Sequence, residues 1–216
     1  MKPDFQGGAC LAAAGVAVAG TARGAEVDGS VGEWIMRLKS TDLEVNTAAC
    51  QSAPQLGAAA VKPLADLLAD SEFELARRAR RALYRIVRHA GRPGAAAEAR
   101  AVEAELVALL GSGPVQPRRD LLWMLSEIGT ALAVAPMAAL LMDKDLREDA
   151  RCALTRMPLP AAARALKSAF AKVPEDFKYA LAESLRVHGQ QVEAYPSRKL
   201  VPSAQTTVRP LEPKGK

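Results

Sequence analysis

One helical pattern recurs along this chain at intervals of about thirty residues, and it constrains the fold more than any single motif does. It is clearest at residues 75–87, 146–158 and 177–189. Counted from the first residue of each segment, apolar or small side chains occupy offsets 0, 4, 7, 8 and 11, and offset 12 is expected to end the helix. This spacing places the apolar residues on one face of an amphipathic helix. A repeat of this length predicts stacked helix pairs with one continuous core, because a single pair cannot bury its own apolar face.

The same pattern can be followed through most of the chain, and we predict about five helix pairs within residues 26–189. Each pair has a first helix, A, and a second helix, B. The first A helix is expected at residues 31–39, behind a capping box of Ser30 and Glu33. Pro54 should kink the end of the first B helix, which Gly57 then closes in a left-handed conformation.

The first two B helices also carry a resemblance to a known family. Asp42-Leu-Glu-Val45 is followed by Ala48-Ala49 and Leu56-Gly57, and residues 70–86 repeat the pattern with arginine and alanine. These segments resemble HEAT repeats, and their spacing is nearest to the short HEAT-like repeats of the bilin-lyase type. The resemblance implies an all-α, right-handed α-solenoid of about five HEAT-like helix pairs in the armadillo-like helical superfamily. It implies an interaction scaffold, with a HEAT-like lyase or protein-modifying enzyme as the alternative.

The N-terminal segment departs from the repeat. Residues 9–20 contain no charge, follow Lys2 and precede the small-residue stretch 21–25. This order predicts a signal peptide over residues 1–25 and a periplasmic or secreted bacterial protein, with no integral membrane segment after its removal. Asp4 and Arg23 depart from the usual pattern of such peptides. The alternative is a poorly ordered N-terminal arm on a cytoplasmic protein.

The C-terminal segment contains four prolines and no helical pattern. We predict residues 190–216 to be a largely extended tail. Tyr195, Leu200 and Val201 could still dock on the open end of the stack, which otherwise exposes an apolar face. The stretch after Ala204 is expected to be disordered. The pattern leaves open whether the tail docks.

Residue types needed for catalysis or metal binding are sparse in this chain. It has two histidines and no His-Glu dipeptide, whereas a zinc site needs three or four converging donors. His188, at offset 11, is interpreted as a partly buried structural histidine. Cys50 and Cys152 lie three repeats apart, about 30 Å, so no disulfide can join them, and both are expected to pack against neighbouring helices. We predict no metal site, no cofactor and no catalytic residue.

The surface most suited to binding is the side of the B helices that faces away from the apolar stripe. Arginine and aromatic residues dominate the middle of this side, and the formal net charge of +5 favours acidic partners. We predict a site for a protein or peptide with acidic character. Its residues are Arg77, Arg81, Arg85, Arg119, Trp123, Arg151 and Tyr179.

Two alternatives compete with this binding site. Trp123 could pack across the inserted loop at residues 91–94, while nearby glutamates neutralise the arginines as an ordinary solvated face. These glutamates are Glu72, Glu74, Glu127 and Glu148. Nucleic acid is not predicted as a partner, because few aromatic residues alternate with the arginines and an exported protein would not meet it.

Overall fold

The structure is a computed structural model that describes residues 24–197, with side chains from residue 31 onward. Most of the predicted signal peptide therefore lies outside the described residues. Residues 198–216 of the tail, with Leu200 and Val201, lie outside them too. Within residues 24–197 the regular structure is entirely helical. The α-helices are α1 (Gly24–Lys39), α2 (Leu43–Ser52), α3 (Val61–Asp66), α4 (Phe73–Ala90), α5 (Ala96–Leu109), α6 (Val115–Ile128), α7 (Ala131–Ala139), α8 (Arg147–Arg156), α9 (Pro160–Phe170) and α10 (Glu175–Val187).

The helices form two stacked rows. The B helices α2, α4, α6, α8 and α10 contact one another in chain order, and the A helices α3, α5, α7 and α9 do the same. Short 3₁₀ segments at Ala53–Ala60, Leu67–Ala69 and Leu140–Met142 extend or join them. This arrangement is an all-α solenoid. Its handedness and its number of repeats stay predictions.

The core is the apolar stripe that the sequence predicted. In α4, Leu75, Ala79, Ala82, Leu83 and Ile86 are all buried. Ala79, Ala82, Leu83 and Ile86 join equivalent residues of the other helices in a single cluster that runs from Trp34 to Leu185. Each fully buried leucine contributes about 1.5–3 kcal/mol, and the many alanines let the helices approach closely.

The first helix begins earlier than predicted. Helix α1 starts at Gly24, so the capping box of Ser30 and Glu33 does not mark its N-terminus. Residues 24–30 continue the helix although glycine at positions 24 and 29 disfavours it, so helix propensity does not account for the earlier start. The predicted helix at residues 31–39 was therefore too short.

Pro54 interrupts the first B helix as predicted. Helix α2 ends at Ser52 and the chain continues in the 3₁₀ segment Ala53–Ala60. Gly57 has φ +55° and ψ −138°, so its φ is positive as expected, but its ψ is not that of the left-handed helical cap. A side chain at this φ would be strained. Helix α4 continues to Ala90, three residues past offset 12 of the repeat pattern.

A buried carboxylate joins two A helices. Glu103 in α5 is 1% exposed, and its Oε1 accepts hydrogen bonds from the N–H and the hydroxyl of Thr130, at 2.6 and 3.0 Å. Thr130 is the N-cap of α7, and its hydroxyl accepts from the N–H of Leu132. Glu103 therefore completes the cap of a helix that lies one repeat further along the chain.

Candidate functional site

A groove of about 870 Å³ opens on the B-helix row, where α4 and α6 lie side by side. We call it the arginine groove. It is lined by Pro54, Arg81, Tyr84, Arg85, Arg88, His89, Arg92 and Trp123. Three of the predicted site residues, Arg81, Arg85 and Trp123, therefore meet in one concave surface.

The arginines of this groove differ in how they are paired. Arg92 donates to both carboxylate oxygens of Glu98, at 2.7 and 2.8 Å, and this hydrogen bonding raises the pKa of Arg92. The Nε of Arg88 lies 4.0 Å from Glu127, and its guanidinium lies 5.6 Å from the ring centroid of Tyr84. Arg81 and Arg85 are exposed, and neither has an ion pair or a hydrogen bond from its side chain to any residue of the described chain. The groove therefore carries uncompensated positive charge.

Trp123 contributes the aromatic surface of the groove. It is 43% exposed, and the guanidinium of Arg156 in α8 lies 3.9 Å from the centroid of its indole ring. Arg156 therefore covers part of the ring, while Trp123 shares the groove with Arg92 from the inserted loop. This contact with the neighbouring helix holds the indole in place at the edge of the groove.

Two other predicted site residues, Arg77 and Arg119, form ion pairs with carboxylates of the protein itself. Arg77 pairs with Glu74 at 2.5 Å. Arg119 pairs with Asp149 at 3.2 Å and also donates to the carbonyl oxygen of Asp145. The predicted neutralisation by nearby glutamates thus describes Arg77 and also Arg151, which pairs with Glu148, but it does not describe Arg81 or Arg85.

Arg151 and Cys152 differ from their predicted exposure, because Arg151 is the less exposed of the two. Arg151 is half-buried, where it donates to Glu148 at 2.8 Å and to the hydroxyl of Ser184 at 2.9 Å. Cys152 is exposed, so the expectation that both cysteines are packed was wrong for this one, whereas Cys50 is buried. The reason is the helical phase, since Cys152 falls six residues after Leu146, on the outward side of α8.

The C-terminal segment covers the last part of the same row of helices. We call residues 190–195 the strap and the surface beneath it the aromatic seat, formed by Phe170, Glu175, Lys178, Tyr179 and Arg186. The ring of Tyr195 in the strap packs edge-on against Phe170 and against Tyr179, with ring centroids 5.1 Å apart in both cases. Tyr195 therefore docks, and it covers Tyr179, a predicted site residue.

Polar contacts complete the fit of the strap. The hydroxyl of Tyr195 donates to Glu175 at 2.5 Å, and Lys178 pairs with the same carboxylate at 2.9 Å. The hydrogen bond from Tyr195, followed by that from Lys178, lowers the pKa of Glu175. The same contact with Glu175 raises the pKa of Tyr195. Arg186 donates to the carbonyl oxygens of Val192 and Tyr195.

The remaining titratable groups near the groove have structural partners. Burial raises the pKa of Asp120, although Arg80 donates to it at 2.8 Å and opposes the shift. Burial likewise raises the pKa of Tyr84. His188 is half-buried, with its Nε2 3.2 Å from the carbonyl oxygen of Leu154. In residues 31–197 no three His, Cys, Asp or Glu side chains are grouped as metal ligands would be.

Sequence reasoning missed several residues that line the arginine groove or cover Trp123. Arg88, His89 and Arg92 line the groove, and Arg156 covers Trp123, but none was among the predicted site residues. Ser126, on the same helix as Trp123, is 9% exposed, with its hydroxyl donating to the carbonyl oxygen of Trp123 at 2.6 Å. The run of arginines from Arg77 to Arg92 was the available signal for the first three. For Arg156 the signal was its position ten residues after Leu146, on the outward side of α8.

Comparison with known proteins gives partial structural likenesses. An engineered protein of known crystal structure matches with 20% identity and a TM-score of 0.37, over 74% of this chain and 79% of that chain. A designed armadillo repeat protein matches with 15% identity and a TM-score of 0.33, over 73% of this chain and 99% of that chain. No protein-family model and no curated protein sequence matches. Both TM-scores are low, so the class of this protein, an all-α helical-repeat solenoid, rests on its own helices and core.

The helices are short or amphipathic. Of those in the described part of the chain, none is both long enough and apolar enough to cross a membrane.

Proposed function

We propose that this protein is a non-catalytic scaffold that binds a protein or peptide of acidic character through the arginine groove. The observation that carries the proposal is the state of Arg81 and Arg85, which lie beside Trp123 without acceptors in the described chain. A guanidinium forms two parallel hydrogen bonds with a carboxylate, so an acidic side chain is the natural complement of each.

The shape and composition of the groove favour a peptide segment over a single small anion. Its charged wall on α4 faces an aromatic residue on α6, so a segment that carries both acidic and apolar side chains could contact the two together. Tryptophan and arginine are the residue types in which binding energy is most often concentrated at protein interfaces. The concave B-helix side is also where stacked helix pairs usually bind.

Selection from a displayed random-peptide library tests this proposal directly, because the library samples acidic and apolar residues in every order. The wild-type protein should enrich peptides that combine Asp or Glu with an apolar residue. The double variant Arg81→Glu/Arg85→Glu should lose this enrichment by about tenfold or more, because like charges then face the ligand. The matched control is Arg37→Glu/Arg100→Glu, which makes the same change in net charge at two exposed positions on A helices.

The control variant should enrich the same peptides as the wild type. The proposal fails if the wild type enriches no acidic peptides, or if the groove variant enriches them as well as the control does.

We also propose that the protein is exported, on the strength of the charge-free run at residues 9–20. N-terminal sequencing of the protein from its native host should find a mature chain that starts between Ala22 and Glu26. A chain that retains Met1 or Lys2 would contradict export.

A further inference from the structure

The end of α10 directs the chain back over its own helix. Gly189 has φ +74°, and its N–H donates to the carbonyl oxygen of Arg186 at 2.8 Å. The N–H of Gln190 donates to the carbonyl oxygen of Leu185 at 2.9 Å. These two hydrogen bonds with a positive φ between them form a Schellman motif, which ends the helix and reverses the chain. The strap that follows is thereby aimed at the aromatic seat.

The main chain of the strap is recognised by a single side chain. The two terminal nitrogens of Arg186 serve different partners, one donating to Glu183 at 2.8 Å and the other to the carbonyl oxygens of Val192 and Tyr195. Carbonyl oxygens are present in any peptide, so these contacts do not depend on the sequence of the strap. They hold in place a segment that turns at Glu193 and Ala194, and they leave its specificity to its side chains.

The side chains of the strap determine the specificity of the seat. Tyr195 inserts its ring between Phe170 and Tyr179 and places its hydroxyl on Glu175. The ammonium group of Lys178 lies 5.9 Å from the centroid of the Tyr195 ring. Val192, three residues earlier, packs against the hydrophobic core. The seat therefore reads a branched apolar residue followed, three positions later, by a tyrosine.

The seat is built from residues that the helices hold in place without the strap. Glu175, Lys178, Tyr179 and Arg186 share one face of α10, because they are separated by helical spacings of three, four and seven residues. The opposite face of α10 is anchored in the core by Phe177, Leu181 and Leu185, which are at most 3% exposed. The strap, by contrast, lies on the outside of the repeat: its contact from Tyr195 to Glu175 is at the surface, and the two from Arg186 are part-buried. A fixed receptor surface with a peripheral peptide on it is the geometry of an exchangeable ligand.

We propose that the aromatic seat is a second peptide-binding site, separate from the arginine groove, and that the strap is its resident intramolecular ligand. The partner is a peptide segment that presents a tyrosine three residues after a branched apolar residue, with a turn between them as in the strap. Because the strap is tethered a few residues from the seat, it competes at an effective concentration of the order of millimolar. A partner segment therefore binds well only when the strap has left the seat.

Fluorescence anisotropy with a labelled peptide of residues 190–197 tests this inference on the full-length protein. The variant Tyr195→Ala removes the ring of the resident ligand, so it should bind the peptide at least about tenfold more tightly than the wild type does. A peptide that carries the same Tyr195→Ala change should bind neither protein. Adding Tyr179→Ala to the variant should abolish peptide binding, whereas adding Trp123→Ala should leave it unchanged.

Thermal melts separate this inference from a purely structural role for the strap. The midpoint of Tyr195→Ala should stay within about 5 °C of the wild type, since the ring it removes lies at the surface of the last repeat. Failure of Tyr195→Ala to fold would show that the strap is a permanent cap and would overturn the inference. Equal peptide affinity of the wild type and the variant would overturn it too.

The oligomeric state excludes one further explanation. A concentration-dependent dimer of the wild type that Tyr195→Ala abolishes would mean that the strap serves a second copy of the chain, and the inference would be wrong. The peptide-library experiment on the arginine groove uses none of these residues. Its result therefore stands independently of the outcome at the seat.

Discussion

The arginine groove and the aromatic seat lie on the same row of B helices but present opposite chemistry. In the groove, Arg81 and Arg85 have no acceptor among the described residues, and the surface is open. In the seat, Glu175 and Arg186 each have more than one partner, and a tyrosine of the chain itself fills the space between the rings. The scaffold is the same in both places, so outward side chains alone decide whether a repeat offers charge or an aromatic pocket.

The difference also determines when each surface is available to a ligand. A guanidinium without an acceptor on the protein is one that a ligand can satisfy at little cost, because no internal contact has to be broken. At the seat, a ligand must first replace the hydrogen bonds and ring contacts of the strap. The groove is therefore available at all times, and the seat is available only after the strap is released.

The largest effect should come from comparing a substitution in the core of α6 with one on the groove side of the same helix. Leu125 is fully buried, and Leu125→Ala should lower the free energy of unfolding by about 2–5 kcal/mol, because a cavity remains. Trp123→Ala should cost about 1 kcal/mol or less, since it loses mainly the exposed contact with Arg156. Denaturant titration of both variants measures the two values. If Trp123→Ala destabilises as much as Leu125→Ala, Trp123 is a packing residue and the groove loses its proposed anchor.

The apolar stripe and its opposite side could be predicted because helical geometry is local. The spacing from Leu75 to Ile86 fixes which side of α4 is buried, and Arg81 and Arg85 then follow as exposed residues. The same rule explains Cys152, which lies on the outward side of α8 and is exposed. Nothing beyond the 3.6-residue period of the helix is needed for these assignments.

Some of the arginine pairs could not be predicted, because the partners come from the next repeat. Arg119 pairs with Asp149, Arg147 with Asp176 and Arg80 with Asp120, at sequence separations between 29 and 40 residues. These pairs depend on how far successive B helices are shifted along their axes, which the spacing of apolar residues does not specify. For the same reason the sequence did not distinguish Arg81 and Arg85 from Arg119. Arg77 and Arg151 differ, because their partners Glu74 and Glu148 lie three residues earlier on the same helix, a spacing visible in the sequence.

Raising the ionic strength should weaken peptide binding to the groove more than binding to the seat, an effect smaller than the difference in stability above. An acidic peptide selected on the groove should lose about tenfold in affinity between about 0.05 and 0.5 M salt, because exposed charges are screened over this range. The strap peptide bound to Tyr195→Ala should change by only about twofold, since ring packing and main-chain hydrogen bonds are less sensitive to salt. Anisotropy titrations of both peptides provide the comparison. An acidic peptide whose affinity does not depend on salt would show that charge does not govern the groove.

The smallest effect concerns the pH range over which the strap is held. The pKa of Glu175 is lowered, chiefly by the hydrogen bond from Tyr195, so this contact contributes above the ordinary pKa of the carboxyl and is lost as the pH falls through the lowered value. The pKa of Tyr195 is raised, chiefly by Glu175, so its contribution is present below the ordinary pKa of a tyrosine and is lost as the pH rises through the raised value.

Binding of the strap peptide to Tyr195→Ala should therefore weaken severalfold between about pH 7 and about pH 3, as Glu175 becomes protonated. A peptide with the change Tyr195→Phe keeps the ring but lacks the hydroxyl, so it should bind more weakly near neutral pH and show a smaller dependence on acid. Equal acid dependence of the tyrosine and phenylalanine peptides would show that the hydroxyl contact with Glu175 does not hold the strap, and the seat would then recognise the ring alone.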